Sequence, residues 1–348
     1  MPTFATAEVR EVLLERPGLQ RLAVDMPDGT SARAYALTGL TGRCEVGDRV
    51  AVNTTAVELG LGTGGWHVVN CNLTRPDFRA PGPDHVMKLR YTGLQCDVGT
   101  DELGRPEVDE PLPGTPVVVA SVHSQLAPIA AAFAEGAPGR RLVHVMTDGA
   151  ALPLALSDLS VTLADRGLVA GTVTAGHAVG GDLEAVNIYS ALGLAVHVLG
   201  ADAVVVAMGP GVVGTGTSLG TTAVEVAPAL DAVDALGGRG ILCVRASDAD
   251  PRERHRGISH HSRTAARLSR STPFVVDVPV GAADLPGTRP LSVDRVPDPV
   301  ELLARHDLQV TTMGRTVEQD PVFFAAAAAA GAGAAGLLTG RAGPPGRP

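Results

Sequence analysis

The feature that most limits what this chain can become is a texture that begins at Pro116 and repeats. Short, almost uninterrupted apolar runs are each followed by a polar or glycine-bearing loop, and most of them then by a segment of helical length. The runs lie at 117–121, 142–146, 168–174, 203–208, 241–245, 274–278 and 308–312. A strand that is apolar at nearly every position is covered on both faces, which is the condition of a parallel sheet flanked by helices. Segments 127–135, 152–165, 183–199 and 221–236 are long enough to supply those helices. Strand and helix alternating within one domain imply an open, doubly wound, Rossmann-like α/β sheet rather than a closed (β/α) barrel. Residues 323–338, almost entirely Ala, Gly, Leu and Phe, are expected to form a last helix.

The chain before this point reads differently. From Val9 to Leu73 it consists of short β-rich runs separated by turn residues, such as Pro27-Asp28-Gly29 between 19–24 and 32–37. This spacing predicts a small β-barrel or sandwich. The expected organisation is a β-rich domain at 1–84, a strand and linker at 85–115, the α/β domain at 116–338 and a disordered tail at 339–348. Residues 85–92 alternate apolar and polar, so a strand there would carry Met87, Leu89 and Tyr91 on one side. Lys88 and Arg90 would then share the other, either as a solvated edge or aimed at an anionic ligand. Lys88 is the single lysine of the chain.

Composition excludes several classes of function. A formal net charge of -9, with no basic stripe and 3% aromatic residues, argues against a general nucleic-acid binder. Cys44, Cys71, Cys96 and Cys243 are scattered, which suits free thiols in a reducing cytoplasm better than a zinc ribbon. No signal-peptide pattern opens the sequence, and tract 323–338 reads as too short and too weakly apolar for a membrane span. A cytoplasmic protein without membrane or nucleic-acid partners is expected, with a homodimer as the ordinary oligomer.

In open parallel sheets, ligands bind outside the carboxyl ends of the strands. The loops on that side hold most of the unusual polar residues, whereas the opposite connections, at 136–141 and 237–240, hold mainly turn formers. His123, Asp148, His177, His260 and His261 are therefore the candidate acid–base groups. Gly209, Gly211, Gly214, Thr215, Gly216 and Thr217, together with Arg263, are candidates for holding an anion through backbone N–H groups and a guanidinium. The glycine loop is no Walker A motif, because no Lys-Ser/Thr follows it, and the acidic partner of a dinucleotide fold is missing. His177, Asp182 and Glu184 are candidate ligands for a divalent metal, although Asp182 also reads as a helix N-cap.

Segments 85–95, 147–153, 176–187, 209–217 and 257–264 together resemble a bacterial family known as domain of unknown function 3866, over roughly Val9 to Thr316. The resemblance implies no activity. From the residues themselves, the expectation is a hydrolase or group transferase acting on a small anionic or phosphorylated metabolite, with a divalent metal compatible with the site. A non-catalytic metabolite or nucleotide sensor using the same edge is the alternative.

Overall fold

The computed structural model describes residues 1–61, 64–82, 85–278 and 280–343. Within it the chain divides into two units, Met1–Gly99 and the remainder from Thr100. In the first, β1 (Phe4–Arg16), β2 (Leu19–Asp25), β3 (Ser31–Ala36), β4 (Arg49–Asn53) and β5 (Trp66–Asn72) close a barrel in the order β1-β2-β3-β5-β4. Short helices α1 (Thr38–Thr41) and α2 (Thr55–Glu58) lie in its connections. Alternate residues such as Val50, Val52, Leu22, Val24, Ala34 and Ala36 fill the interior, as the two-residue period of a strand requires. The barrel expected from the turn spacing is thus present. A small ribbon of β6 (Met87–Lys88) and β7 (Cys96–Asp97) completes this unit.

The second unit begins its sheet with β8 (Pro116–Ala120), followed by α3 (Leu126–Gly136), β9 (Leu142–Thr147), α4 (Asp158–Asp165) and β10 (Gly171–Ala175). Then come β11 (Leu183–Ala185), α5 (Ile188–Gly193), β12 (Ala203–Met208), α6 (Val226–Ala235) and β13 (Arg239–Cys243). A two-stranded ribbon, β14 (Ala246–Ser247) with β15 (Gly257–Ile258), leads into α7 (His260–Leu268). The chain continues through β16 (Phe274–Val276), β17 (Arg289–Val293), α8 (Pro299–Arg305), α9 (Pro321–Thr339) and β18 (Ala342–Gly343). The nine-stranded sheet has the order β11-β10-β9-β12-β8-β13-β16-β17-β18 and is parallel except at β17–β18. Val117 and Val119 of β8 face one core with α5, α6 and α7, while Val118 and Ala120 face the other with α3, α8 and most of α9. Helices on both faces make the sheet doubly wound, as the apolar runs require.

Several local expectations are corrected. Residues 308–312 form no strand, and the outer parallel strand is β17, whose Arg289 and Pro290 disguise it in the sequence. The helix expected from 183 begins at Ile188, because residues 183–185 pair in parallel with β10. Asn187 is its N-cap, accepting from the Tyr189 and Ser190 amides, so Asp182 is not. The strand through Lys88 and Arg90 stops at Lys88, because Leu89 and Tyr91 both have positive φ. Lys88 is buried in the first unit and Arg90 donates to the Met87 carbonyl.

Helix α9 is 19 residues long and, by length and hydropathy, apolar enough to cross a membrane, contrary to the sequence expectation, yet 61% of its apolar window is buried inside the protein. It lies so close to α3 that a Cβ at Gly331 would run into the Ile129 carbonyl oxygen. Residues 342–343, placed in the tail by the sequence reading, pair with β17. The part of the tail from 344, like the linker residues 83–84, lies outside the described residues.

Candidate functional site

The parallel strands all end toward the same edge, and the loops that follow them carry the polar residues of interest in the second unit. After β13 the chain does not turn directly into a helix. It makes the β14–β15 ribbon, whose intervening loop folds back and brings His255 against the start of α7. Ser259 caps α7, accepting from the His261 amide, so His260 and His261 stand in its first turn. The ring centroids of His255, His260 and His261 lie 4.4–4.9 Å apart.

Arginines surround these imidazoles. The Arg245 Nη1 group donates to His261 Nδ1 at 3.2 Å, which places the remaining proton of a neutral His261 on Nε2, 3.3 Å from the Thr221 hydroxyl. Arg252 grips Asp250 through two bonds of 2.8 and 2.9 Å, and Arg315 reaches both Asp250 and Asp320. Arg254 is exposed beside Gly216 and has no ion-pair partner among the described residues. Burial, then the nearby arginines, depresses the proton affinity of His255 and His261 to a pKa of about 3. Burial also lowers the Arg245 pKa to about 10, which leaves the guanidinium charged at neutral pH. The rings are therefore neutral and the field around them is positive.

A cavity of about 110 Å³ opens between this group and the glycine loop, lined by Gly214, Gly216, Arg245, Arg252, Arg254 and the three histidines. It has room for an oxyanion or a few waters, well below the usual volume of a nucleotide-sized pocket. The glycine loop approaches it but is largely closed on itself. Thr215 donates its amide to the Gly220 carbonyl, Thr217 accepts from the Gly220 amide, and Thr222 and Val213 bond each other. Arginine side chains, rather than loop amides, supply the visible anion donors. Gly209 has a separate role, since a Cβ there would strike the Ala151 carbonyl oxygen.

A second cavity, of about 450 Å³, lies on the far side of the 3-10 turn Thr222–Glu225 and is lined by Gly149, Thr222, Glu225, Pro228, Asp231 and Leu268. Glu225 accepts a 2.5 Å hydrogen bond from the Thr147 hydroxyl at the tip of β9. Burial, with a smaller contribution from Asp148, raises its pKa to about 7 against the opposing Thr147 bond. Gly149 makes room for this carboxyl group, because any Cβ there would overlap it.

The other candidates are tied into the framework. His123 donates from Nδ1 to the Met208 carbonyl at 3.0 Å and accepts the Ser157 hydroxyl on Nε2 at 2.7 Å. Asp148 accepts from the His177 amide. Asp182 accepts from the amide and hydroxyl of Thr172, while Glu184 accepts from the Gly180 amide and the Thr174 hydroxyl. The three-ligand group that converges among the described residues is His255, His260 and His261, and not His177, Asp182 and Glu184. Arg263 bonds the Ile258 carbonyl and lines a different groove. Arg252, Arg254, His255, Ser157 and Glu225 escaped the sequence reading; the dense run Arg252-Glu253-Arg254-His255-Arg256 was the available signal for the first three.

The fold and this edge define an α/β protein with a separate β-barrel unit and a histidine–arginine site at the carboxyl ends of its parallel strands. The model of a protein family of unknown function, DUF3866, matches residues 33–331, and the chain belongs to that family. No curated protein and no solved structure matches it.

Proposed function

We propose that the protein is a hydrolase or group transferase that binds a small anionic, phosphate-bearing metabolite at the carboxyl edge of its parallel sheet. The observation that carries this reading is the positive cavity: Arg245, Arg252 and Arg254 face one opening beside neutral imidazoles, and Asp250 is the carboxylate that offsets them locally. Guanidinium groups are suited to oxyanions by their planar, forked donors. Arg252 is held by Asp250 in a fixed orientation, and the exposed Arg254 is placed to close on a ligand. Glu225 lines the neighbouring cavity, and with its carboxyl raised to a pKa of about 7 it is the candidate proton carrier for a metabolite that extends from the arginines across the Thr222–Glu225 turn.

The test is a thermal-shift and calorimetric titration with inorganic phosphate and a panel of phosphorylated metabolites. Stabilisation that is lost in Arg252→Gln and Arg254→Gln is the expected result; binding that survives both substitutions defeats the reading. A stabilising metabolite is then recovered and analysed. Conversion that disappears in Glu225→Gln marks an enzyme, and recovery of unchanged ligand marks a sensor that uses the same edge.

A further inference from the structure

We infer that His255, His260 and His261 form a three-imidazole site for a divalent transition metal of the zinc class, with the small cavity supplying the open coordination position. One ring nitrogen from each residue lies within 4.8 Å of the other two, so modest side-chain adjustment brings all three onto one ion. The inference stands on ring geometry and does not depend on the anion reading.

Three further observations support the assignment. His260 Nε2 is buried and has no hydrogen-bond partner, an unfavourable position for a polar atom that coordination would relieve. The other two rings are oriented through their opposite nitrogens, as metal-binding imidazoles usually are. Ser259 Oγ lies 2.7 Å from His255 Nδ1, and Thr221 Oγ1 lies 3.3 Å from His261 Nε2. This leaves His255 Nε2 as a ligand atom, and His261 Nδ1, which accepts from Arg245, as the atom for which a metal would compete. Finally, a set of neutral nitrogen donors without carboxylate or carbonyl oxygen favours Zn²⁺, Co²⁺, Ni²⁺ or Cu²⁺ and disfavours Mg²⁺ and Ca²⁺.

The arginines give the site a distinctive property. Arg245 directs its guanidinium at the His261 Nδ1 lone pair, so one cation already stands where another would bind. Asp250 lies 3.8 Å from Arg245 Nη2 and offers that guanidinium an alternative partner. Arg254, exposed and near His260, adds repulsion that a bound anion would relieve. Metal and oxyanion are therefore expected to strengthen each other's binding, by the same factor in either direction.

The test uses full-length protein freed of metal by dialysis against chelator and titrated with Co²⁺ and Zn²⁺, read by visible absorption and calorimetry. One equivalent of Co²⁺ with the absorption of a four-coordinate site is expected. His255→Ala and His260→Gln should each weaken binding at least tenfold, while His197→Ala, on the helical segment after α5, should leave it unchanged. Arg254→Gln removes an exposed charge without disturbing the core, and should tighten metal binding several-fold while weakening phosphate. No binding by the wild type, or binding that survives both histidine substitutions, overturns the site. Phosphate binding measured on the metal-free protein reports separately on the anion reading.

Discussion

Two groups of histidines lie in the second unit and behave as opposites. His123 and His144, at β8 and β9, have ring centroids 6.1 Å apart and are enclosed by core. His255, His260 and His261 crowd together beneath arginines and line a cavity. Both groups have depressed proton affinities, and burial is the first cause in each. The difference is where the lone pairs point. His123 spends both ring nitrogens on Met208 and Ser157, joining two strands to the start of α4, whereas in the cavity group one ring nitrogen from each of three histidines lies within 4.8 Å of the other two and His260 Nε2 has no partner. A shifted pKa alone would have ranked the groups together; hydrogen-bond direction separates a structural clamp from a binding site.

The sharpest way to break this comparison is to delete one member of each group. His123→Ala should destabilise the fold by about 4 kcal/mol, because it opens a cavity and leaves the Ser157 hydroxyl and Met208 carbonyl unpaired. Denaturant unfolding measures it, and a loss below about 1 kcal/mol would mean the clamp is ornamental. Acid should expose the same group next. His144 is neutral in the fold, with a pKa of about 3 against an ordinary 6.5. Its contribution is complete above pH 6.5 and lost as pH falls toward 3, amounting to about 3 kcal/mol at pH 4. His144→Gln should flatten that limb of the stability curve.

Glu225 runs the other way. Its folded pKa of about 7 exceeds the ordinary 4.5, so its stabilisation is full below pH 4.5 and disappears as pH rises through 7. Glu225→Gln should therefore gain roughly 2 kcal/mol at pH 8 relative to wild type, allowing for partial exposure, and nothing at pH 4. Equal effects at both pH values would show that the carboxyl group is not buried as described. The smallest effect on stability belongs to the cavity group. His260→Ala should change unfolding by less than about 1 kcal/mol while removing ligand or metal binding, since its Nε2 has no partner to lose. A large destabilisation would make His260 a second clamp.

Much of the architecture was legible because it follows from local pattern. Val117–Val119 and Val204–Val206 announce strands buried on both faces, and the turn at Pro27–Gly29 announces a hairpin. The edge that carries the site was also legible, since His260 and His261 follow a parallel strand on that side, in the first turn of α7. What the pattern could not reveal depends on pairing between distant residues. The strand at 183–185 exists because β10 lies beside it and because Thr172 and Thr174 hold Asp182 and Glu184. His255 meets His260 because a ribbon folds back, which no periodicity encodes. The proton affinity of Glu225 is set first by its burial and then by Thr147 and Asp148, far upstream in the chain. Local texture predicts elements; only the assembled sheet tells which lone pairs meet.

Helix α9 also has a consequence in time. It covers β8, β13, β16 and β17, yet it leaves the ribosome after all four. Until residue 339 has emerged, that face of the second unit's sheet has α3 and α8 but lacks the helix that covers β8, β13, β16 and β17, and part of its apolar surface stays open. The barrel strands, complete by residue 72, face no such delay. Nascent chains halted before α9 should therefore recruit chaperones strongly, and those halted after it should not.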